Sequence, residues 1–241
     1  MKYSVWAPDA KSMAVVTGGQ NFPLSKKPRG WWESEIDAEE GRGYKFRPDG
    51  GDCFPDPRSK WQPEGVHGPS CVVDTGKLRR KERPVFRALP LHRAVIYEMH
   101  IGTFSPEGTY AGAARRLRHL ADLGITHVEI MPVASFPGKH GWSYDGVHLY
   151  APFPGYGTPR ELADFVAACH AHGLAAVLDV VYNHLGPDGN YLPKFGPYFT
   201  TAVSTPWGQA VNFDGPWSDE VRAFVIENAL MWLRDYGFDG L

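Results

Sequence analysis

Residues 174–184 read Leu174-Ala175-Ala176-Val177-Leu178-Asp179-Val180-Val181-Tyr182-Asn183-His184. The stretch begins as a near-continuous apolar run, the pattern of a strand buried on both faces of a parallel sheet. Polar groups then enter, with Asp179 inside the run and Asn183 and His184 at its end. A buried carboxylate is costly unless it is paired or hydrogen-bonded, so Asp179 requires partners. It stands toward the C-terminal end of its strand, where parallel α/β folds build their substrate sites. Two readings stand side by side. Either these polar residues form part of a site, or Asp179 is satisfied by neighbouring backbone while Asn183 and His184 shape a loop.

The flanks of this stretch alternate strand and helix. Val95-Ile96-Tyr97-Glu98-Met99-His100-Ile101 reads as a first strand. Tyr110, Ala113, Ala114, Leu117, Leu120 and Ala121 fall at helical spacing, which predicts a helix over 110–123 with Gly124 at its stop. His127-Val128-Glu129-Ile130-Met131 is the second strand. Thr158, Pro159 and Glu161 form a capping box with proline at the first helical position, opening a helix whose buried stripe is Leu162, Phe165, Val166 and Cys169. After the third strand the last helix is predicted over 218–236, with Ser218 as N-cap and Val221, Phe224, Val225, Asn228, Ala229, Trp232, Leu233 and Tyr236 as its stripe. Phe238-Asp239-Gly240-Leu241 then starts another strand. Two long loops, 132–157 and 185–217, carry much of the aromatic content.

Residues 1–75 have a different pattern. Short alternating runs at Tyr3–Trp6, 12–16, 30–36 and 44–46 are separated by Gly and Pro turns, the signature of a β-sandwich. Residues 50–70 read as irregular and 76–93 as a charged, proline-punctuated linker. The expected fold class is therefore α/β with an N-terminal all-β domain: a sandwich over 1–75, the linker 76–93, and the first three βα units of a (β/α)8 barrel over 94–241. Three units and a strand stub do not close such a barrel. The chain thus reads as part of a longer protein, the rival being a small open α/β sheet.

Composition narrows the function classes. With 241 residues and a net charge of −2, the chain has no global field favouring nucleic acid or anionic membrane. The basic cluster Lys77–Arg83 is short, interrupted by Glu82 and followed by Pro84, and reads as solvated linker. Cys53, Cys71 and Cys169 form no C-x-x-C motif and leave an odd count, which favours a reduced, cytoplasmic setting. Neither a secretory leader nor a membrane span is legible. Phosphate loops, serine elbows and dinucleotide turns are also missing. Eight Trp and eleven Tyr suit stacking on sugar rings, and suit a core equally well.

Asp179-Val180-Val181-Tyr182-Asn183-His184 resembles the first conserved region of the α-amylase superfamily of glycoside hydrolases. Ser4-Val5-Trp6-Ala7-Pro8-Asp9-Ala10 is similar to the start of the β-sandwich module that precedes the barrel in branching and debranching enzymes, and 97–104 to their first barrel strand. Within the superfamily, 62–70, 131–138, 142–147 and above all 184–199 resemble the trehalohydrolase subfamily, which frees trehalose from malto-oligosyltrehalose. The resemblance implies retaining hydrolysis of an α-1,4-glucosidic bond in trehalose biosynthesis, with malto-oligosyltrehalose or another α-glucan as the partner. It implies no nucleic acid, membrane or cofactor. The alternatives are a glucan branching enzyme, which passes the same covalent intermediate to a sugar hydroxyl, and a non-catalytic glucan-binding piece.

The same resemblance assigns roles. Tyr144 would stack on the sugar next to the scissile bond, and His184 would donate to that sugar's hydroxyls. Asp179 would pair with an Arg of the fourth strand, and without that Arg it is expected to lack a partner. Trp142 and Asp145 complete the implied substrate-binding set, and Asn183 supports the strand end without holding a metal. Retaining hydrolysis needs a nucleophilic and an acid/base carboxyl group. Both are expected beyond Leu241, so no catalytic residue is assigned within the chain. Glu98 and Glu129, on strands, read as paired or hydrogen-bonded sheet residues or as catalytic acids. His170 and His172 suit a helix C-terminus. His140 and His148 flank the aromatic loop and either touch sugar or are merely exposed. Trp31-Trp32 reads as a glucan platform, or as one ring in the core and one at an interface.

Overall fold

A computed structural model describes residues 1–78 and 86–241. The basic run at 79–83 and Pro84 lie outside the described residues.

Six short strands form the N-terminal sheet: β1 Lys2–Trp6, β2 Met13–Thr17, β3 Gln20–Lys26, β4 Trp31–Asp37, β5 Gly43–Pro48 and β6 Ser70–Cys71. Their order is β1-β4-β3-β2-β5-β6, antiparallel throughout. The pairing explains how one sheet makes two layers. Gln20 to Pro23 of β3 pair with β2, whereas Leu24 to Lys26 pair with β4. Proline donates no ladder hydrogen bond, and Pro23 sits where the strand changes partners. Tyr3, Val5, Trp6, Met13, Val15, Trp32, Tyr44 and Phe46 are buried, Trp6 against Tyr198 and Trp217 and Phe46 against Phe195 of the second half. β3 has no alternation to announce it, because Leu24 is its one fully buried residue.

The second half is α/β. β7 Ile96–Met99, β8 His127–Ile130 and β11 Ala175–Leu178 form a parallel sheet in the order β11-β8-β7. Glu98 stands opposite Glu129, and Val177 opposite Glu129 on the other side. A fourth strand begins beside β11: Gly240 bridges Val177 in parallel, Asp239 N donates to Ala176 O at 2.8 Å and Leu178 N to Gly240 O at 3.1 Å. The helix read as continuous over 110–123 is two pieces after the short α1 Ile101–Phe104: α2 Tyr110–Ala114 and α3 Leu117–Asp122. Each piece has its own anchors, Tyr110 with Ala113 and Leu117 with Leu120. The exposed Arg115 and Arg116 between them carry no packing that would hold a turn.

The loop 132–157 contains the paired strands β9 Ala134–Ser135 and β10 His148–Pro152. α4 Pro159–Ala171 opens as read, with Thr158 Oγ1 accepting from Glu161 N and Glu161 Oε2 accepting from Thr158 N. The loop 185–217 contains the hairpin β12 Phe199–Thr205 and β13 Gly208–Val211. α5 Ser218–Met231 starts one residue earlier than the N-cap reading of Ser218 allows. Trp217, at φ +66, makes the turn, and Ser218 Oγ instead accepts from Arg222 Nη1 at 3.0 Å. A wider π-type turn, Trp232–Tyr236, then runs to Gly237 at φ +83.

α5 and the turn after it meet the N-terminal half of the chain through polar contacts. Arg29 binds Glu220 at 2.5 Å and also Asp219; Arg58 binds Glu227. Thr75 Oγ1 donates to Asp235 at 2.6 Å. Trp32 is buried and donates to Ala7 O, whereas Trp31 donates to Glu220 Oε2 at 3.2 Å under the Arg58 guanidinium. The tryptophan pair is therefore one core ring and one interface ring. Among the described residues no helix is long and apolar enough to cross a membrane.

Candidate functional site

The C-terminal ends of the parallel strands gather the residues read from the sequence. Asp179 follows directly on β11, and its amide donates to Ile130 O at 2.9 Å, extending the pairing with β8 by one residue. The side chain is half-buried and it has a partner: Tyr144 Oη donates to Asp179 Oδ2 at 2.8 Å. The expectation of an unpartnered Asp179 is thus overturned, because the loop between β9 and β10 reaches across and supplies a hydroxyl. Ser143, at φ +60, turns that loop just before Tyr144. Gly146 allows it to lie down, since a Cβ there would come within 2.8 Å of Ala134 Cβ.

The hydrogen bond has an electrostatic consequence. The Asp179 carboxylate holds the Tyr144 phenol protonated and pushes its pKa up to about 12, with smaller contributions from burial, Asp179's charge, Glu98 and Glu129. Glu98 is exposed and Glu129 half-buried. They face each other in register on neighbouring strands.

His184 lies further along the same segment. Its Nδ1 is 3.2 Å from Asn183 Oδ1, and its ring stacks on Trp207 with centroids 5.0 Å apart and planes inclined by 19°. Trp207 stands at the tip of the β12–β13 hairpin, 62 % exposed. An open groove beside this stack is lined by His184, Pro187, Asn190, Phe199, Trp207 and Gln209. Trp142 is 68 % exposed, and Asp145 and Asn183 are exposed as well. The structure thus joins Tyr144 to Asp179 and His184 to Asn183 and Trp207. It gives Trp142 and Asp145 no side-chain contact within this set. The Asp145 backbone instead presses on Gly186, where a Cβ would lie 2.3 Å from Asp145 O.

Two participants escaped the sequence reading. Trp207 sits in a tight turn between two strands that were read as loop. Asn228 was read as one member of an apolar stripe, and a polar residue in such a stripe was the signal. It is 1 % exposed. Its Nδ2 donates to Leu149 O at 2.9 Å, while its Oδ1 accepts from Tyr182 Oη at 2.8 Å and from Trp232 Nε1 at 3.1 Å. One amide therefore ties β10, the segment after β11 and α5 together.

The histidines divide in the same way. His148 is 3 % exposed, and burial lowers its pKa to about 4, so it is a neutral core group and neither of the readings offered for it holds. His170 Nε2 bonds Asp239 at 2.9 Å and fastens the start of the fourth strand. His172 Nδ1 donates to Ala168 O at the end of α4. No three His, Cys, Asp or Glu side chains cluster as metal ligands among the described residues.

Comparison with known proteins agrees with this architecture. Along its whole length the chain is 48 % identical to the malto-oligosyltrehalose trehalohydrolase of Arthrobacter ramosus, covering 42 % of that protein. It is 45 % identical to the enzyme of the same name from Rhizobium sp. (strain M-11), covering 41 %. The chain therefore spans about two fifths of the length of these curated relatives. A crystal structure of a putative alpha amylase from Salmonella typhimurium superposes on all of the chain with a TM-score of 0.92 at 41 % identity, over 41 % of that structure. The model of the alpha amylase catalytic domain matches residues 57–198, which include β11, the Tyr144–Asp179 bond and His184. That match takes in more than half of the sequence, and the chain belongs to the alpha-amylase family.

Proposed function

We propose that the intact protein is a glycoside hydrolase of trehalose biosynthesis that releases trehalose from malto-oligosyltrehalose by hydrolysing an α-1,4-glucosidic bond with retention of configuration. The observation that carries this reading is the Tyr144–Asp179 hydrogen bond, which fixes an exposed aromatic ring over the ends of the parallel strands. The names of the relatives supply the substrate. In this reading Tyr144 stacks on the sugar beside the scissile bond, and His184, steadied by Trp207, donates to its hydroxyls. Asp179 orients Tyr144 and, on its other oxygen, an arginine of the next strand. Trp142 and Asp145 line the approach, and Asn183 supports the turn through its contact with His184.

Retention requires one carboxylate to attack the anomeric carbon and a second carboxyl group, about 5–5.5 Å away, to protonate the leaving oxygen and then activate water. We assign neither role to Asp179 or Asp145, and place both outside residues 1–241. We also divide the chain functionally into a glucan-enzyme module over 1–75, a connector over 76–93 and barrel from 94 onward. The cytoplasm is the compartment that fits three free cysteines.

The test is to incubate the intact protein with malto-oligosyltrehalose and, separately, with amylose. Trehalose release without new branch points is the expected outcome. Branch formation on amylose would show that the acceptor is a glucan hydroxyl and replace hydrolysis with glycosyl transfer. His184→Ala should lower kcat/KM by about tenfold, the worth of one hydrogen bond to the sugar.

A further inference from the structure

Two stretches singled out by the sequence, 62–70 and 184–199, lie against each other. His67 Nδ1 is 2.7 Å from Tyr191 Oη, and His67 Nε2 is 3.2 Å from Asp188 Oδ1. One neutral tautomer satisfies both contacts: the Tyr191 hydroxyl donates to Nδ1, and the Nε2 proton is donated to the carboxylate. Between these two partners Gly189 takes φ +84, and a Cβ there would sit 2.5 Å from Val66 Cγ2. The Tyr191 ring packs on Phe54 with centroids 5.3 Å apart. The segment is itself anchored, because the buried His148 donates to Val66 O at 3.0 Å. On its other side the loop is pressed at Gly186 by the backbone of Asp145, next to Tyr144.

The loop that begins at His184 is therefore wedged between the Tyr144 loop and the connection from β5 to β6 of the N-terminal sheet. The His67 and Asp188 side chains are 57 % and 62 % exposed, and a pair that open adds little to global stability. Its effect is local, on where the loop sits. We propose that residues 62–67 are a brace that sets the position of the 184–199 loop, with His67 as the positioning residue, and that this brace determines which saccharide end the site accepts. The specificity part of this inference rests on the function proposed above; the brace itself rests on the contacts.

Both parts can be read separately in the intact protein carrying His67→Ala, with His67→Gln and Asp188→Asn alongside. The first readout is peptide-resolved hydrogen exchange. Faster exchange over 185–199 with α4 unchanged supports the brace. Unchanged exchange over 185–199 overturns it, as does exchange that rises equally throughout the protein. The second readout compares malto-oligosyltrehalose with an unbranched malto-oligosaccharide of equal length. His67→Ala should raise KM for the first by about tenfold with kcat within about twofold, while the second changes little. His67→Gln, which keeps one donor and one acceptor, should recover part of the loss. An equal loss on both substrates overturns the specificity role. If the unsubstituted protein releases no trehalose, the proposed function and the specificity role fall together, and exchange alone decides the brace.

Discussion

Asp179 and Asn228 line one small cavity at the end of β11, yet they handle their polarity in opposite ways. Asn228 is sealed in: its amide donates to Leu149 O and its carbonyl accepts from both Tyr182 and Trp232. Asp179 is half-open, and its side chain accepts from a phenol that is itself exposed. A closed hub of this kind holds a strand end in place, because each lost partner strands a buried group. An open carboxylate beside an exposed ring keeps bonding capacity for a ligand. The two meet at one cavity although they come from different elements, Asp179 from the end of β11 and Asn228 from α5, and the difference separates a sealed scaffold group from an open candidate-site group.

The comparison would break first at Asn228. Asn228→Leu orphans the Leu149 carbonyl, the Tyr182 hydroxyl and the Trp232 indole at once, and should lower the unfolding free energy by about 4 kcal/mol. Urea denaturation measures it, and a loss below about 1 kcal/mol would mean that the hub is not what holds the strand end.

His148, another sealed group, gives the next effect. Its folded pKa, about 4, lies below the ordinary 6.5, so between those values the unfolded chain binds more protons. Its contribution to stability is intact above pH 6.5 and lost as the pH falls through about 4, up to about 3 kcal/mol in all. Urea midpoints at pH 7, 5.5 and 4 should fall less steeply in His148→Gln than in the unsubstituted chain.

On the open side, Asp179→Asn should cost no more than about 1 kcal/mol, since the exposed Tyr144 regains water. The same change should bring the Tyr144 phenol from about 12 back toward 10, read as an earlier alkaline ultraviolet transition than in the unsubstituted chain. Trp142→Ala should leave stability within about 0.5 kcal/mol. A larger effect there would show that the ring packs on protein and is not held out for a ligand.

What the sequence made legible follows the same division. The parallel strands, the α4 capping box and the glycine stops were readable because apolar runs, Thr158 with Glu161, and Gly124, Gly173 and Gly237 are local signals. Asp179 and His184 stood out as candidates because polar groups interrupting a buried run demand a reason. β3 was hidden because each half of it serves a different neighbour, which erases alternation. Trp207 and the His67 contacts were hidden because they join residues far apart in the chain. His148 was misplaced because its apolar flanks, Val147 and Leu149 to Ala151, lie in a stretch read as loop, and because its polar partners Gln62 and Val66 are more than 80 residues away.

The contacts of Arg29 have a consequence in time. Its partner Asp219 lies 190 residues further along the chain. At ~5–20 residues per second, a ribosome takes roughly 10–40 s to add that stretch. An N-terminal sheet that folds as it is made holds Arg29, Trp31 and Arg58 in water over that interval, until α5 emerges to receive them. The polar part of this interface suits such a wait, because charged and amphipathic side chains stay hydrated until their partners arrive, whereas Trp6 and Phe46, which pack on Tyr198, Trp217 and Phe195, are the rings that need the later chain to cover them.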